Sequence, residues 1–123
     1  MNEEKYFFDS YAIIEIIKGN NSYNFVLDST IITSPMNFAE VYYSLLLVHD
    51  KLSLDKILKS FNFQFLKINP KIARKSAIFR FNNKKLKLSY IDCVGYMLAL
   101  SNDLLFLTGD DAFKNFESVE FVK

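Results

Sequence analysis

Four acidic side chains, far apart along the chain, carry the clearest chemical potential in this sequence. Each follows an apolar segment or lies within one that should be buried: Asp9, Glu40, Asp92 and Asp110. If folding gathers them, two unit charges about 4 Å apart repel by roughly 4 kcal/mol at an effective dielectric near 20. No Arg or His adjoins them in the sequence, so a divalent cation is the economical compensation. Ligands that are all oxygen favour Mg²⁺ or Mn²⁺ over zinc.

The segments that would position these acids alternate between strand and helix patterns. Apolar runs predict strands over 5–8, 30–33, 104–107 and 119–122, and apolar stripes predict helices over 10–18, 35–48, 53–62, 70–81 and 89–101. A turn or two of helix over 22–28 and a short helix through Phe116 are also expected, whereas 63–68 reads as either strand or helix. The alternation predicts a single α/β domain over 1–123, with three αβα layers and a parallel sheet of four or five strands.

A parallel sheet of this kind would bring the four acids to one edge. Binding sites in open parallel sheets form at the C-terminal tips of the strands. Asp9 and Asp110 follow two predicted strands, and Glu40 lies in a helix that starts at a third tip. Asp92 lies in the first turn of the apolar helix over 89–101. The pattern therefore predicts one acidic site.

Each acid also has a purely structural interpretation. Asp9 and Asp110 are placed to cap the helices that follow them, and Ser89 with Asp92 matches a capping box. Glu40 could be a solvated helix residue. The two interpretations are compatible, because helix N-termini point toward the same edge of the sheet. The coincidence of all four acids at that edge favours the site.

Neighbouring polar residues could support the acids. Ser10 and Thr108 adjoin the same edge, where they would either orient a carboxylate or make local turn bonds. Asn37, three residues before Glu40, would either bond into the site or belong to the first helical turn. Asp111 is either a fifth site acid or a residue favoured by the dipole of the following helix.

The helix over 35–48 is apolar on more than one side. Ser34 is its predicted N-cap and Pro35 its first residue. The residues expected to face the core are Ala39, Tyr42, Tyr43, Leu46 and Leu47.

Composition excludes several other chemistries. The chain has 123 residues, half of them apolar and 16% aromatic, which is enough for one buried core. His49 and Cys93 are the only residues of their types, so multi-histidine sites, Cys-rich zinc sites and disulfides are excluded. No apolar run reaches the roughly 18 residues that cross a bilayer, and the charged start lacks a secretory pattern, so a cytoplasmic location is predicted.

The net charge of +1 conceals a strong asymmetry. The stretch from Lys56 to Ile91 has ten basic residues and no acidic one, whereas the remainder has 5 basic and 14 acidic residues. The basic stretch is either a solvated helical face or a surface for a polyanion beside the acidic site. Within it, Lys84, Lys85 and Lys87 immediately precede the helix that bears Asp92, so they are the predicted contacts to a phosphate backbone.

The ordered motifs resemble the PIN domain family, especially its VapC-type toxin ribonucleases. The matching segments are Phe-Phe-Asp9-Ser-Tyr-Ala-Ile-Ile-Glu, Asn37-Phe-Ala-Glu40, Leu-Ser-Tyr-Ile-Asp92-Cys and Leu-Phe-Leu-Thr108-Gly-Asp110-Asp-Ala-Phe. They span nearly the whole chain. A single segment is a weak signal, but the ordered set is fairly specific. One departure is Ala112, at a position where many relatives carry a further acid.

The resemblance implies an endoribonuclease that depends on Mg²⁺ or Mn²⁺. Asp9, Glu40, Asp92 and Asp110 match the family's acidic quartet. The metal would be held by Asp9, Asp92 and Asp110, while Glu40 would act through water. The family also implies a homodimer and a cognate antitoxin as partner.

Two alternatives stay open. The chain could be a PIN nuclease of RNA processing outside a toxin pair, or a catalytically inactive module that binds RNA or protein. A phosphoryl-accepting receiver domain is disfavoured, because Phe7 and Phe8 precede a lone Asp9 and no Lys follows the strand over 104–107.

Overall fold

The computed structural model describes residues 5–123 and contains one five-stranded sheet in which every strand pair is parallel. The strands are β1 (Tyr6–Phe8), β2 (Ile31–Thr33), β3 (Phe63–Phe65), β4 (Leu105–Thr108) and β5 (Val119–Phe121), in the spatial order β3-β2-β1-β4-β5. The helices are α1 (Ser10–Lys18), α2 (Pro35–Leu46), α3 (Lys51–Lys59), α4 (Pro70–Asn82) and α5 (Tyr90–Ser101). Short 3-10 helices cover Asn21–Val26, Lys84–Leu86 and Asp111–Phe113. The predicted α/β class and parallel sheet are confirmed, and the segment left open at 63–68 supplies the edge strand β3.

Two apolar cores, one on each face of the sheet, make the three layers. Successive strand residues point to opposite faces, so Phe8 and Leu107 pack with α1, α2 and α3. Phe7 and Phe106, whose rings stack at 5.9 Å, pack with α4 and α5 on the other face. This alternation explains why the central strands are apolar throughout.

The predicted inward face of α2 is wrong for most of its residues. Ala39, Tyr43, Leu46 and Leu47 are exposed, whereas Asn37, Val41 and Leu45 are buried. Apolar residues surround this helix, so periodicity alone does not determine its rotation. The buried hydrogen bonds of Asn37 turn the face with i, i+4, i+8 spacing toward the core.

The longest helix in residues 5–123 is α4, with 13 residues, and no helix in that range has the length and apolar content to span a bilayer. The predicted lack of a secretory signal concerns the charged start of the chain, and residues 1–4 lie outside the described part.

Candidate active site

The candidate site lies where the sheet reverses its direction of winding. The strand order runs from β1 through β2 to β3 on one side and from β4 to β5 on the other, so β1 and β4 flank the switch point. Ligands of open parallel sheets bind in the crevice beyond the strand ends at this place. Asp9 directly follows β1, and Asp110 comes two residues after Thr108 closes β4. The backbone N–H of Asp9 donates to the carbonyl oxygen of Leu107 at 3.0 Å, which ties the two strand ends together.

Asp9 is a buried carboxylate held by two donors. Asp9 is only 3% exposed. Oδ1 accepts the N–H of Ser10 at 2.9 Å, which caps α1, and Oδ2 accepts the hydroxyl of Thr108 at 2.6 Å. Burial raises the pKa of Asp9 from 3.8 to about 7, opposed by the Thr108 and Ser10 bonds and reinforced by the charges of Asp92 and Asp110. The site therefore destabilises a negative charge at Asp9 in the absence of a cation.

Asp92 and Asp110 both cap helices while acting electrostatically on Asp9. Oδ2 of Asp92 accepts the N–H of Ser89 at 2.9 Å, and Ser89 Oγ accepts the N–H of Asp92 at 3.1 Å, so the predicted capping box is confirmed. Oδ1 of Asp110 accepts the N–H of Ala112 at 3.0 Å. Within residues 5–123 the second oxygen of each carboxylate makes no hydrogen bond. Capping thus leaves each of them one oxygen for a ligand.

Glu40 differs from the other three acids. It is half-buried on α2, and within the described range its side chain makes no hydrogen bond or ion pair. The charges of Asp92 and Asp110 raise the pKa of Asp9. As the side chains stand, no three Asp, Glu, His or Cys residues of 5–123 form a group that could hold a metal ion. The structure thus relates Asp9 to Asp92 and Asp110, and Glu40 as the fourth acid of the site stays a prediction.

A buried polar chain connects α2 to α1 behind Asp9. Nδ2 of Asn37 donates to Ser10 Oγ at 2.9 Å, and Ser34 Oγ donates to Asn37 Oδ1 at 2.7 Å. Ser34 Oγ also accepts the N–H of Asn37 at 3.0 Å, as expected of the predicted N-cap. All three side chains are buried. These hydrogen bonds therefore hold the start of α1, and with it the Ser10 N–H that donates to Asp9.

Replacing Asn37 with Ala should cost about 2–3 kcal/mol of unfolding free energy, because the buried hydroxyls of Ser10 and Ser34 lose their side-chain partner. Denaturant unfolding of the two proteins measures the loss. Asn24→Ala, at an exposed position, is the matched control and should unfold like the parent. Equal midpoints for Asn37→Ala and the parent would contradict the proposed role of these buried hydrogen bonds.

The remaining predicted residues lie at the surface. Asp111 is exposed, and its carboxylate pairs with Lys123 Nζ at 3.1 Å. Lys84, Lys85 and Lys87 are exposed around the 3-10 helix between α4 and α5, with Lys87 in the left-handed region at φ 55°. Lys123 thus competes with any supporting role of Asp111.

Thr33 is a residue of this region that the sequence reasoning missed. It ends β2 and its hydroxyl donates to the carbonyl oxygen of Phe8 at 2.8 Å, one residue before Asp9. A Thr that ends one predicted strand, at 33, and another that directly follows a second, at 108, were the available signal. Thr33 and Thr108 therefore approach the end of β1 from both sides, one bonding its backbone and the other the Asp9 carboxylate.

The PIN domain family matches residues 6–119, nearly the whole chain, so the protein belongs to the PIN domain family. A toxin–antitoxin complex from Klebsiella pneumoniae is similar in structure, with a TM-score of 0.71 and 21% identity over 95% of this chain and 96% of that one. VapBC2 from Rickettsia felis, solved bound to a DNA fragment from its promoter, is similar with a TM-score of 0.75 and 18% identity over 96% of this chain and 98% of that one. PAE2754 from Pyrobaculum aerophilum is similar with a TM-score of 0.62 and 15% identity over 96% of this chain and 90% of that one. These likenesses confirm the PIN fold. No curated protein sequence matches the chain.

Proposed function

We propose that the protein is a metal-dependent endoribonuclease that hydrolyses RNA phosphodiester bonds. The observation that carries this proposal is the buried Asp9 at the end of β1, whose pKa is raised to about 7 by burial and by the charges of Asp92 in the first turn of α5 and Asp110 after β4. The two ion pairs within residues 5–123 involve Glu15 and Asp111, so neither neutralises Asp9, Asp92 or Asp110. A site built to concentrate negative charge without a protein cation suits a bound divalent cation.

The donor chemistry suits Mg²⁺ or Mn²⁺. Asp9, Asp92 and Asp110 would offer carboxylate oxygens, the ligands that these ions prefer. Such an ion, when bound, lowers the pKa of a water molecule and offsets charge developing on a phosphate. Glu40 would accept the proton of the attacking water. Thr108 orients Asp9 directly, whereas Ser10 and Asn37 hold the backbone that caps it. Asp111 would contribute only when its pair with Lys123 opens.

An RNA cleavage assay tests the proposal. The purified protein should cut RNA with Mg²⁺ or Mn²⁺ and stop on addition of chelator. Asp92→Asn should reduce cleavage to the chelated background, because Asn lacks the charge that binds the cation. Asp28→Asn, at an exposed position, is the matched control and should cleave like the parent. Cleavage that persists in chelator, or in Asp92→Asn, would contradict the proposal, and RNA retention without turnover would favour a silent binding module.

We further propose that the nuclease is the toxin of a type II toxin–antitoxin pair, acting in the cytoplasm as a homodimer. Two of the similar structures are toxin–antitoxin complexes. Exposed apolar side chains on and after α2 suit protein partners: Tyr43, Leu46, Leu47, Val48 and Leu52. An apolar cleft of about 610 Å³ between α2, α3 and β3 offers a further contact surface. The same assay, repeated with the product of a neighbouring reading frame, would show inhibition by an antitoxin.

A further inference from the structure

Three cations surround a small cavity at the junction of α4 and α5. The cavity has a volume of about 200 Å³ and is lined by Arg80, Lys84, Lys87 and Leu88. Nε of Arg80 donates to the carbonyl oxygen of Leu88 at 2.8 Å, which fixes the guanidinium at the cavity wall. The segment from Lys56 to Ile91 contains no acidic residue, and neither ion pair of residues 5–123 involves these three cations. The cavity is therefore a concentrated positive site of a size that suits a phosphate group.

Two exposed aromatic rings flank this cationic cavity. Phe81 is 66% exposed and Tyr90 is 58% exposed. The guanidinium carbon of Arg80 lies 4.3 Å from the centre of the Tyr90 ring, and Lys84 Nζ lies 4.5 Å from that of Phe81. Each ring is thus held against a cation while most of its surface stays open to solvent. Such rings alternating with cations are typical of proteins that stack nucleobases and bind the backbone between them.

From this arrangement, and resting on the proposed ribonuclease function, we propose that the α4–α5 junction is a binding site for single-stranded RNA. Arg80, Lys84 and Lys87 bind backbone phosphate, and Phe81 and Tyr90 stack two bases. Bases in a duplex are already stacked on one another and cannot reach these rings, so the site selects unpaired RNA.

The position of Tyr90 links this site to the carboxylates. Tyr90 is the first residue of α5, and Asp92 lies in the same helical turn. The guanidinium of Arg80, stacked on Tyr90, lies close enough to α5 to act electrostatically on Cys93. A strand whose base stacks on Tyr90 therefore binds at the first turn of α5, the turn that also carries Asp92. The site thus determines which kind of RNA reaches the carboxylates.

Binding measured in chelator tests the site separately from cleavage, because the RNA stays intact. Fluorescence anisotropy is recorded with a short unstructured RNA and with the same strand annealed to its complement. Phe81→Leu and Tyr90→Leu should each weaken single-strand binding about tenfold, the loss expected for one stacked base, and leave duplex binding unchanged. Phe25→Leu, which removes a half-exposed ring on the 3-10 helix over Asn21–Val26, should bind like the parent. Lys87→Gln should weaken the binding of both RNAs. It should also reduce by about 1 the slope of the logarithm of the binding constant against the logarithm of salt concentration.

The conservative variants Phe81→Tyr and Tyr90→Phe retain stacking and should bind like the parent, which separates a stacking role from damage to the fold. Ring variants that bind single strands like the parent, or lose single-strand and duplex binding equally, would overturn the site. A polyglutamate peptide that competes as well as RNA would overturn it in favour of an acidic protein ligand. If the parent shows the single-strand preference yet never cleaves, the proposed nuclease function fails and the binding site stands.

Discussion

Replacing Asp9 with Asn is expected to stabilise the metal-free protein above pH 7 and to reduce metal-dependent RNA cleavage to background. The pKa of Asp9 is raised from 3.8 to about 7, chiefly because the carboxyl is buried and secondarily because Asp92 and Asp110 are charged. Asn fills nearly the same volume, carries no charge and retains an oxygen for the Ser10 N–H, while the lost acceptor of the Thr108 hydroxyl offsets part of the gain. The substitution therefore relieves the folded protein of a buried charge and removes a proposed metal ligand.

The pH dependence follows from the direction of this shift. A carboxyl whose pKa is higher in the folded protein than in the unfolded chain stabilises the fold only while it is protonated. Stability conferred by Asp9 is complete below its ordinary pKa of 3.8 and is lost as the pH rises through about 7. The loss is on the order of 4 kcal/mol for a shift of this size. Asp9→Asn should lack this decline.

Thermal unfolding of metal-free protein across this pH range measures the difference. Asp28→Asn, an exposed replacement of the same kind, should follow the parent at every pH. Adding Mg²⁺ above pH 7 should raise the melting temperature of the parent but not that of Asp9→Asn, because binding stabilises the folded state only where the ligands are intact. Parallel pH profiles for the parent and Asp9→Asn would refute the argument.

Replacing Gly109 with Ala is expected to cost about 3 kcal/mol of unfolding free energy, a large value for a single methyl group. The added Cβ would lie well under 3.0 Å from a ring carbon of Tyr11 and from the carbonyl oxygen of Val122. That carbonyl accepts the hydroxyl of Tyr23 at 2.5 Å, and the N–H of Val122 donates to the Thr108 carbonyl oxygen at 2.9 Å. The end of the chain is held on both sides and cannot move away cheaply.

Cleavage should fall together with stability in Gly109→Ala, since Gly109 separates Thr108 from Asp110. Gly95→Ala is the matched control: its Cβ would meet the ring edges of Phe7 and Phe106 at 3.1 and 3.3 Å, and alanine favours the helix. Urea unfolding of the three proteins should therefore place Gly95→Ala close to the parent and Gly109→Ala well below it. Matching midpoints for Gly109→Ala and the parent would show that the C-terminal strand is free to shift.

Much of the fold, and the choice of the candidate acids, could be predicted from residues that lie close together in the sequence. Ser34 and the Ser89–Asp92 pair cap their helices as predicted, because capping depends on residues three apart. The strands that precede Asp9 and Asp110 were predictable from short apolar runs, since strands buried on both faces carry apolar residues throughout. Parallel strand order then places both acids at one edge of the sheet.

Other properties depended on contacts between distant segments, which no local pattern encodes. The rotation of α2 follows from the bond of Asn37 to Ser10, 27 residues away, whereas the apolar residues around the helix allowed another face. The pKa of Asp9 depends on its burial and on Thr108, Asp92 and Asp110 after folding. The sequence by itself determined which side chains are acidic, basic and aromatic and which elements carry them. Only the tertiary structure decided their distances and burial, because electrostatic and packing energies depend on separation in space.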